Sequence, residues 1–487
     1  MKNILLAIVL LQAPSSIRDW RVAHEHEILN EFAALLRLPN VSRDLADIRA
    51  NATFIEEMYR KRGIALQRLE VPGGAPALFG ELKVPGAVKT VVFYAHYDGQ
   101  PVDAAQWINR APFTPELRDG SGKLLPWPVA GVKIDPEWRL YARSAGDDKA
   151  PILAFLAALD GLKATGRTPG INIKFFFDGE EEINWPHLAQ ILTKYKSQLA
   201  SDGWLLCDGP VHQSRRQQIM FGSRTQLTVN LTVYGAKSEL HAGHYGNWAP
   251  NPALMLAQLI SSMKDENGHV RIHGFYNDVT PLSTTEQAAI RAIPNIDALL
   301  QDQFSIGGGE VPGRRIEEAI TQPSLTVRSL SAGGAGSVVP ATATAAFRID
   351  MVKGMDPAKT LAQLKAHIRG RGYTSIDHAA SDAERRNNAK LVFIESTGDE
   401  RAVRTSMESP FARQVIAAME SARGPVLKLP NMGAGIPMGA IDQVLGAPVI
   451  IVPIANHDDN QHTHDENLRL QNLWDGIETM TALMMMK

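Results

Sequence analysis

The stretch Tyr94-Ala95-His96-Tyr97-Asp98-Gly99 follows the apolar run Val91-Val92-Phe93 and sets His96 and Asp98 two positions apart. Residues two apart on a strand point to the same face. The pair can therefore supply an imidazole ligand for a metal and a carboxylate that orients it. A His beside an Asp is also the ordinary make-up of a structural hydrogen bond, so the pair alone decides nothing. What precedes it does: Thr90 to Tyr94 is a near-continuous β-branched and aromatic run. Such a run predicts a strand buried on both faces, as in a parallel sheet, with His96 and Asp98 at its C-terminal end.

The same arrangement recurs. Ile171 to Phe177 runs into Asp178-Gly179-Glu180-Glu181-Glu182, and Gly203-Trp204-Leu205-Leu206-Cys207 ends in Asp208. In open α/β sheets the C-terminal edge of the strands is where sites are built. Gly146-Asp147-Asp148-Lys149 leads into a helix predicted from Pro151 to Leu162, with proline near its first turn. Asp147 and Asp148 thus fall at a helix N-terminus, where dipole capping is the plain alternative to function. The strand Pro448 to Val452 precedes a polar loop, Asn456 to Glu466, that holds His457, His462 and His464.

Length and composition bound the rest. At 487 residues the natural expectation is two domains. A 44% hydrophobic content with 21% charged residues fits a globular protein with a sizeable core. Lys+Arg 50 against Asp+Glu 52 leaves no basic footprint for nucleic acid. The single cysteine, Cys207, excludes intrachain disulfides and a cysteine zinc site, so any metal must be held by His and carboxylates. Lys2 followed by Ile4 to Leu11, with small residues at Ala13, Ser15 and Ser16, resembles a secretory signal peptide over residues 1–16. The run is too short to span a bilayer, and the expected location is periplasmic or secreted, otherwise cytoplasmic.

Along the chain, helical spacing covers Trp20 to Arg62, and two short strands flank the turn at Pro72 to Gly74. After Asp208 the texture changes. Thr225 to Tyr234 alternates as a half-exposed antiparallel strand does, helix Pro252 to Met263 follows, and a loop-rich segment contains Gly307 to Gly309. Leu325 to Leu330 and Thr342 to Ile349 read as strands, and Asp356 introduces a helix from Pro357 to Ile368. Buried α/β texture returns near residue 410. The economical architecture is an α/β catalytic domain, a mostly parallel mixed sheet with helices on both faces. It is interrupted by an α+β lid or dimerisation domain. The boundaries are 17–222 and 405–487 for the catalytic domain and 223–404 for the insert.

His96, Asp147, Glu182, Asp208 and His462 together offer two imidazoles and three carboxylates. That set suits a pair of divalent ions, zinc above all, with Mn2+ or Co2+ as substitutes. One carboxylate can bridge two such ions, and a hydroxide held between them is a nucleophile at neutral pH. Glu181, next to Glu182, is the candidate general base. On an extended chain neighbours point apart, so one can face the metals and the other the water.

Taken in order, His96-x-Asp98, Gly146-Asp147-Asp148-Lys149, Glu181-Glu182, Asp208 and His462-Thr463-His464-Asp465-Glu466 resemble the signature of a di-zinc peptidase family. It contains carnosinases, carboxypeptidase G, aminoacylase, acetylornithine deacetylase and succinyl-diaminopimelate desuccinylase. The resemblance implies His96 and Asp208 on one zinc, Glu182 and His462 on the other, and Asp147 bridging. It also implies Asp98 orienting His96, Glu181 as base and proton shuttle, and a cis Asp147–Asp148 peptide. The insert is similar to the family's lid, which implies a homodimer. Leu240-His241-Ala242-Gly243-His244-Tyr245-Gly246 resembles a carnosinase stretch whose His stabilises the oxyanion in the partner subunit's site, which gives His241 that role.

Two departures concern the substrate. Where the family shows Phe-x-Ile-Arg, this chain reads Phe347-Arg348-Ile349-Asp350. Arg348 lies on the same strand face and can substitute as a carboxylate clamp, Asp350 would favour a cationic group, and a mutual surface pair is the plain alternative. Asn431-Met432-Gly433-Ala434-Gly435-Ile436-Pro437 replaces a stretch with Arg and Ser, leaving Asn431 and Gly435 as candidate substrate contacts. The expected activity is di-zinc hydrolysis of dipeptide or C-terminal peptide bonds. The alternatives are an N-acyl-amino-acid deacylase and a non-catalytic peptide-binding dimer.

Overall fold

The computed structural model describes residues 16–129, 131–333 and 336–487. The apolar run expected to act as a signal peptide lies outside the described residues. Contacts divide the described residues into two units: those up to 219, with 405–427 and 441–487, form one, and those in 220–404 with 428–440 the other.

In the first unit, α1 (Ile17–Leu36) and α2 (Leu45–Arg60) precede β1 (Leu66–Leu69), β2 (Ala77–Leu82) and β3 (Thr90–His96). The single helical stretch expected from Trp20 to Arg62 is thus two helices, the second capped by Asp44, whose carboxylate accepts from Ala46 and Asp47 N–H. The sheet order is β1, β2, Asn172–Asp178, β3, Gly203–Leu206 and Val449–Ile451, continuing through Gln218–Met220 and Leu427–Leu429. β2 runs antiparallel to Asn172–Asp178, whereas β3 is parallel to both of its neighbours.

Burial on both sheet faces explains the apolar runs. Phe175 and Phe177 meet Tyr59 of α2 at 5.1 and 5.2 Å between ring centroids, and both pack with Phe155 of α3 (Lys149–Ala164). Phe176 points the other way, to Tyr94 and Trp204. Each fully buried aromatic contributes about 1.5–3 kcal/mol of transfer free energy. The parallel register sets His96 opposite Asp178, so the C-terminal ends of neighbouring strands emerge together.

The second unit holds a five-stranded sheet in the order Ser324–Ala332, Thr342–Met351, Thr225–Tyr234, Leu391–Thr397, Thr374–Ile376. Its alternating strands bury Leu227, Val229, Leu231 and Val233 against Leu256, Leu259 and Met263 of helix Pro252–Met263 and Leu364 and Ile368 of helix Pro357–Gly370. The sheet is not purely antiparallel, because Thr374–Ile376 runs parallel to Leu391–Thr397. The loop-rich segment contains helices Thr284–Ala292, Asp297–Phe304 and Ile316–Ala319. Residues 428–440, expected in the catalytic domain, fall in the second unit. Arg224 accounts for part of this, donating Nε and Nη2 to Gly433 O at 3.0 and 2.8 Å.

Candidate metal centre

His96 ends β3 with no exposed surface. Its Nδ1 lies 3.2 Å from Asp98 Oδ1, and its Nε2 lies 2.9 Å from Asp147 Oδ1 and 3.9 Å from Asp208 Oδ2. A carboxylate on Nδ1 fixes the tautomer that leaves Nε2 free to ligate. Besides meeting the His96 ring, the two Asp98 oxygens accept from Glu181 N at 3.2 Å and Glu182 N at 3.0 Å. One buried carboxylate therefore joins the β3 loop to the loop carrying Glu181 and Glu182.

That second loop is not extended. Glu181–Ile183 is a short 3-10 turn, followed by Asn184 and Trp185 at positive φ. A turn, rather than the extended chain expected from the sequence, carries Glu181 and Glu182. His462 Nε2 lies 3.1 Å from Asp147 Oδ2 and 3.2 Å from Glu182 Oε2. Asp147 thus touches both imidazoles, one on each oxygen. The Asp147–Asp148 peptide is cis. Asp148 does not cap α3 through its side chain; its carboxylate accepts from His96 N at 3.2 Å instead.

Among the described residues two groups could hold a metal ion, His96 with Asp147 and Asp208, and Asp147 with Glu182 and His462. In each, the potential ligand atoms lie within 4.8 Å of one another. The donor set fits divalent cations on chemical grounds, since it is imidazole and carboxylate throughout. Cys207 is adjacent to Asp208, but burial pushes its thiol pKa up. Charge crowding points the same way. Burial and then Asp147 push the Asp208 carboxyl up to about 7, and burial also raises Glu181 and Glu182. Hydrogen bonds to Asp147 and Glu182 push His462 up to about 11. So many carboxylates in a buried space call for positive charge.

Four polar residues at this centre carried no assigned role in the sequence. Gln100 Nε2 donates to Glu182 Oε2 at 2.7 Å, and Gln461 Nε2 donates to Asp147 Oδ2 at 2.6 Å. Arg143 and Glu466 lie fully inside. Glu466 belongs to the His462–Glu466 run, but nothing in that run shows that its carboxylate turns back to the Asp147 loop.

The remaining candidates lie in the second unit. His241 is exposed on a two-residue strand paired to Val338, its ring 4.5 Å from that of His244. Arg348 Nε donates to Asp350 Oδ1 at 2.6 Å, Ser324 Oγ donates to Asp350 Oδ2 at 2.8 Å, and Arg224 approaches within 3.7 Å. Asp350 is buried, so this is not a loose surface pair, and its charge is already met by two arginines. That argues against Asp350 as a receptor for a cationic group. Asn431 is buried with neither amide atom hydrogen-bonded among the described residues, whereas Gly435 is exposed.

A model of peptidase family M20/M25/M40 matches residues 92–486. The chain belongs to this family. It is 22% identical to the Cys-Gly metallodipeptidase dug1 of Schizosaccharomyces pombe over 93% of this chain and 94% of the relative. It is 24% identical to the human Beta-Ala-His dipeptidase over 88% of this chain and 85% of that one. Among solved structures it resembles an M20 family metallo-carboxypeptidase from Sulfolobus solfataricus, with a TM-score of 0.76 at 26% identity, covering 94% of this chain and 99% of the other. The chain is thus a peptidase-family hydrolase with the mixed α/β fold of that family. Among the described residues, no helix is long and apolar enough to cross a membrane.

Proposed function

We propose that this chain is a metal-dependent dipeptidase. The observation that carries the reading is the pair of ligand groups sharing Asp147 beside the Glu181–Ile183 turn. His96 and Asp208 would hold one divalent cation, Glu182 and His462 the other, and Asp147 would serve both, with zinc the ion and Mn2+ or Co2+ as substitutes. When bound, the cations would supply Lewis acidity to the scissile carbonyl and lower the pKa of the attacking water. Glu181 takes the proton from the attacking water and returns it to the departing amine. Burial pushes the Glu181 carboxyl above its ordinary value.

Dipeptides are the proposed substrates because the relatives above are named for them. In the second unit, Arg348 grips a substrate carboxylate, and Asn431 and Gly435 supply polar and backbone contacts. A homodimer formed through that unit would let the exposed His241 steady the oxyanion in a partner's site. Export, which Ile4 to Leu11 argues for, is tested by N-terminal sequencing of the mature protein. A panel of dipeptides and N-acyl amino acids, assayed with and without chelator, tests the activity. Metal-dependent cleavage of dipeptides is expected; preference for N-acyl amino acids would make the chain a deacylase. Dipeptide turnover that survives both complete metal removal and Glu181→Gln overturns the mechanism.

A further inference from the structure

His96 ends β3, but the other candidate ligands sit on loops and turns beyond the strands, so their spacing to His96 depends on side chains rather than on sheet ladders. Glu466 accepts from Arg143 Nη1 at 2.8 Å and from the backbone N–H groups of Ser144, Gly146 and Asp147 at 2.8, 3.0 and 3.0 Å. Arg143 Nη2 donates in addition to Thr463 O at 3.0 Å and Pro101 O at 3.4 Å, and its guanidinium lies 5.4 Å from the Trp107 ring centroid. One buried guanidinium therefore fastens the loop after His96, the loop carrying Asp147 and the loop carrying His462.

The His462 loop needs fastening. Asn460, His462 and Asp465 have φ of 59°, 61° and 57°. Each left-handed non-glycine residue costs about 1–2 kcal/mol and persists only where its surroundings over-determine it. Asp465 contributes by accepting from Ile108 N at 2.8 Å. The carbonyl of Thr463, adjacent to His462, has Arg143 as its donor.

We propose that Arg143 and Glu466 are positioning residues of the metal centre. Glu466 sets the Asp147 backbone, and Arg143 sets the His462 side against it. The inference rests on the two-cation reading above. It separates the two residues. Asp147 serves both cations, so losing the Glu466 contacts weakens both. Thr463 neighbours His462, and Pro101 follows Gln100, whose amide donates to Glu182, so losing the Arg143 fork weakens the Glu182–His462 cation. Arg143→Lys keeps the charge beside Glu466 but replaces a planar fork by a point charge that cannot reach the same carbonyls.

The test uses the full chain, stripped of metal and titrated with Zn2+ against a chromophoric chelator, for wild type, Arg143→Lys and Glu466→Gln. Wild type should take up two ions. Arg143→Lys should bind the first within about twofold of wild type and the second about 10–100-fold more weakly. Glu466→Gln should weaken both. Hydrogen exchange of the metal-free proteins supplies a second readout: amides of residues 460–465 should exchange faster in Arg143→Lys, and those of 144–147 in Glu466→Gln. A merely structural role would lower the thermal midpoint and shift both binding steps of Arg143→Lys alike. That result, or unchanged binding in both variants, overturns the proposal. Should Arg143→Lys not fold, Glu466→Gln carries the test by its two weakened steps. Wild type that takes up no zinc overturns the two-cation reading itself, and this inference falls with it.

Discussion

Replacing Glu181 by glutamine keeps the turn, since the contact to Asp98 is made by backbone N–H, and removes only the proton acceptor. Turnover should fall by about 10²–10⁴-fold with zinc uptake unchanged, measured as kcat beside metal content. Asp98→Ala acts differently. It strips His96 Nδ1 and the N–H groups of Glu181 and Glu182 of one shared acceptor. Metal affinity should drop about 10–100-fold and stability by about 1–3 kcal/mol for the stranded donors, read from zinc competition and denaturant unfolding. Near-equal zinc affinity in Asp98→Ala would show that the carboxylate does not orient the ring. Of these contacts only the pairing of Asp98 with His96 was legible in the sequence, from their spacing of two, although β3 ends at His96 and Asp98 lies in the loop just beyond it. The grip on Glu181 and Glu182 crosses more than 80 residues, and no local pattern encodes it. The same holds for Gln100, Gln461 and Arg143, whose partners lie on other loops.

Between elements, Lys149 ties the start of α3 to the end of α1. It is fully buried, and its Nζ donates to Leu35 O and Leu38 O at 3.1 Å each. Leu35 O, in the last turn of α1, also accepts from the Arg37 and Leu38 N–H groups, and Leu38 lies past the helix end, so Lys149 adds a donor from another helix to this C-terminus. Burial pushes Lys149 down from 10.5 to about 7. Between those values the unfolded chain holds the proton and the fold does not, so stability rises with pH across that window and is lost as pH falls towards 7. Lys149→Met lacks the effect. The stability of wild type relative to Lys149→Met should therefore grow by about 2 kcal/mol from pH 7 to pH 9, measured by denaturant titration. A gap that does not change with pH would mean that Lys149 keeps its proton. Elements of this kind were legible where burial marked the sequence, as an apolar run in β3 and Asn172–Asp178 and as alternation in Thr225–Tyr234. The Glu181–Ile183 turn was not, because a run of glutamates carries no period that separates a turn from an extended strand.

For the whole molecule, the interrupted order of the units was readable because the last ligand candidate comes so late in the chain. The second unit's claim on residues 428–440 was not, since it depends on Arg224 meeting Gly433 across 209 positions. Both ligand groups fall in the first unit, and this makes metal binding a stability measurement as well as an activity one. An ion held only by the folded state adds about 2.7 kcal/mol per site when its free concentration is 100 times the dissociation constant. For two sites, saturating Zn2+ should raise the thermal transition of the first unit on the order of 10 °C above that of chelated protein, read by scanning calorimetry. The variants then sort ligands from base without any substrate. Glu181→Gln should keep the full shift, because it donates nothing to the cations. His462→Ala should lose roughly the half owed to the Glu182–His462 site, and Asp147→Ala, which serves both sites, nearly all of it. Identical thermograms with and without zinc would remove the metal centre, and a shift that Glu181→Gln abolishes would move Glu181 from base to ligand.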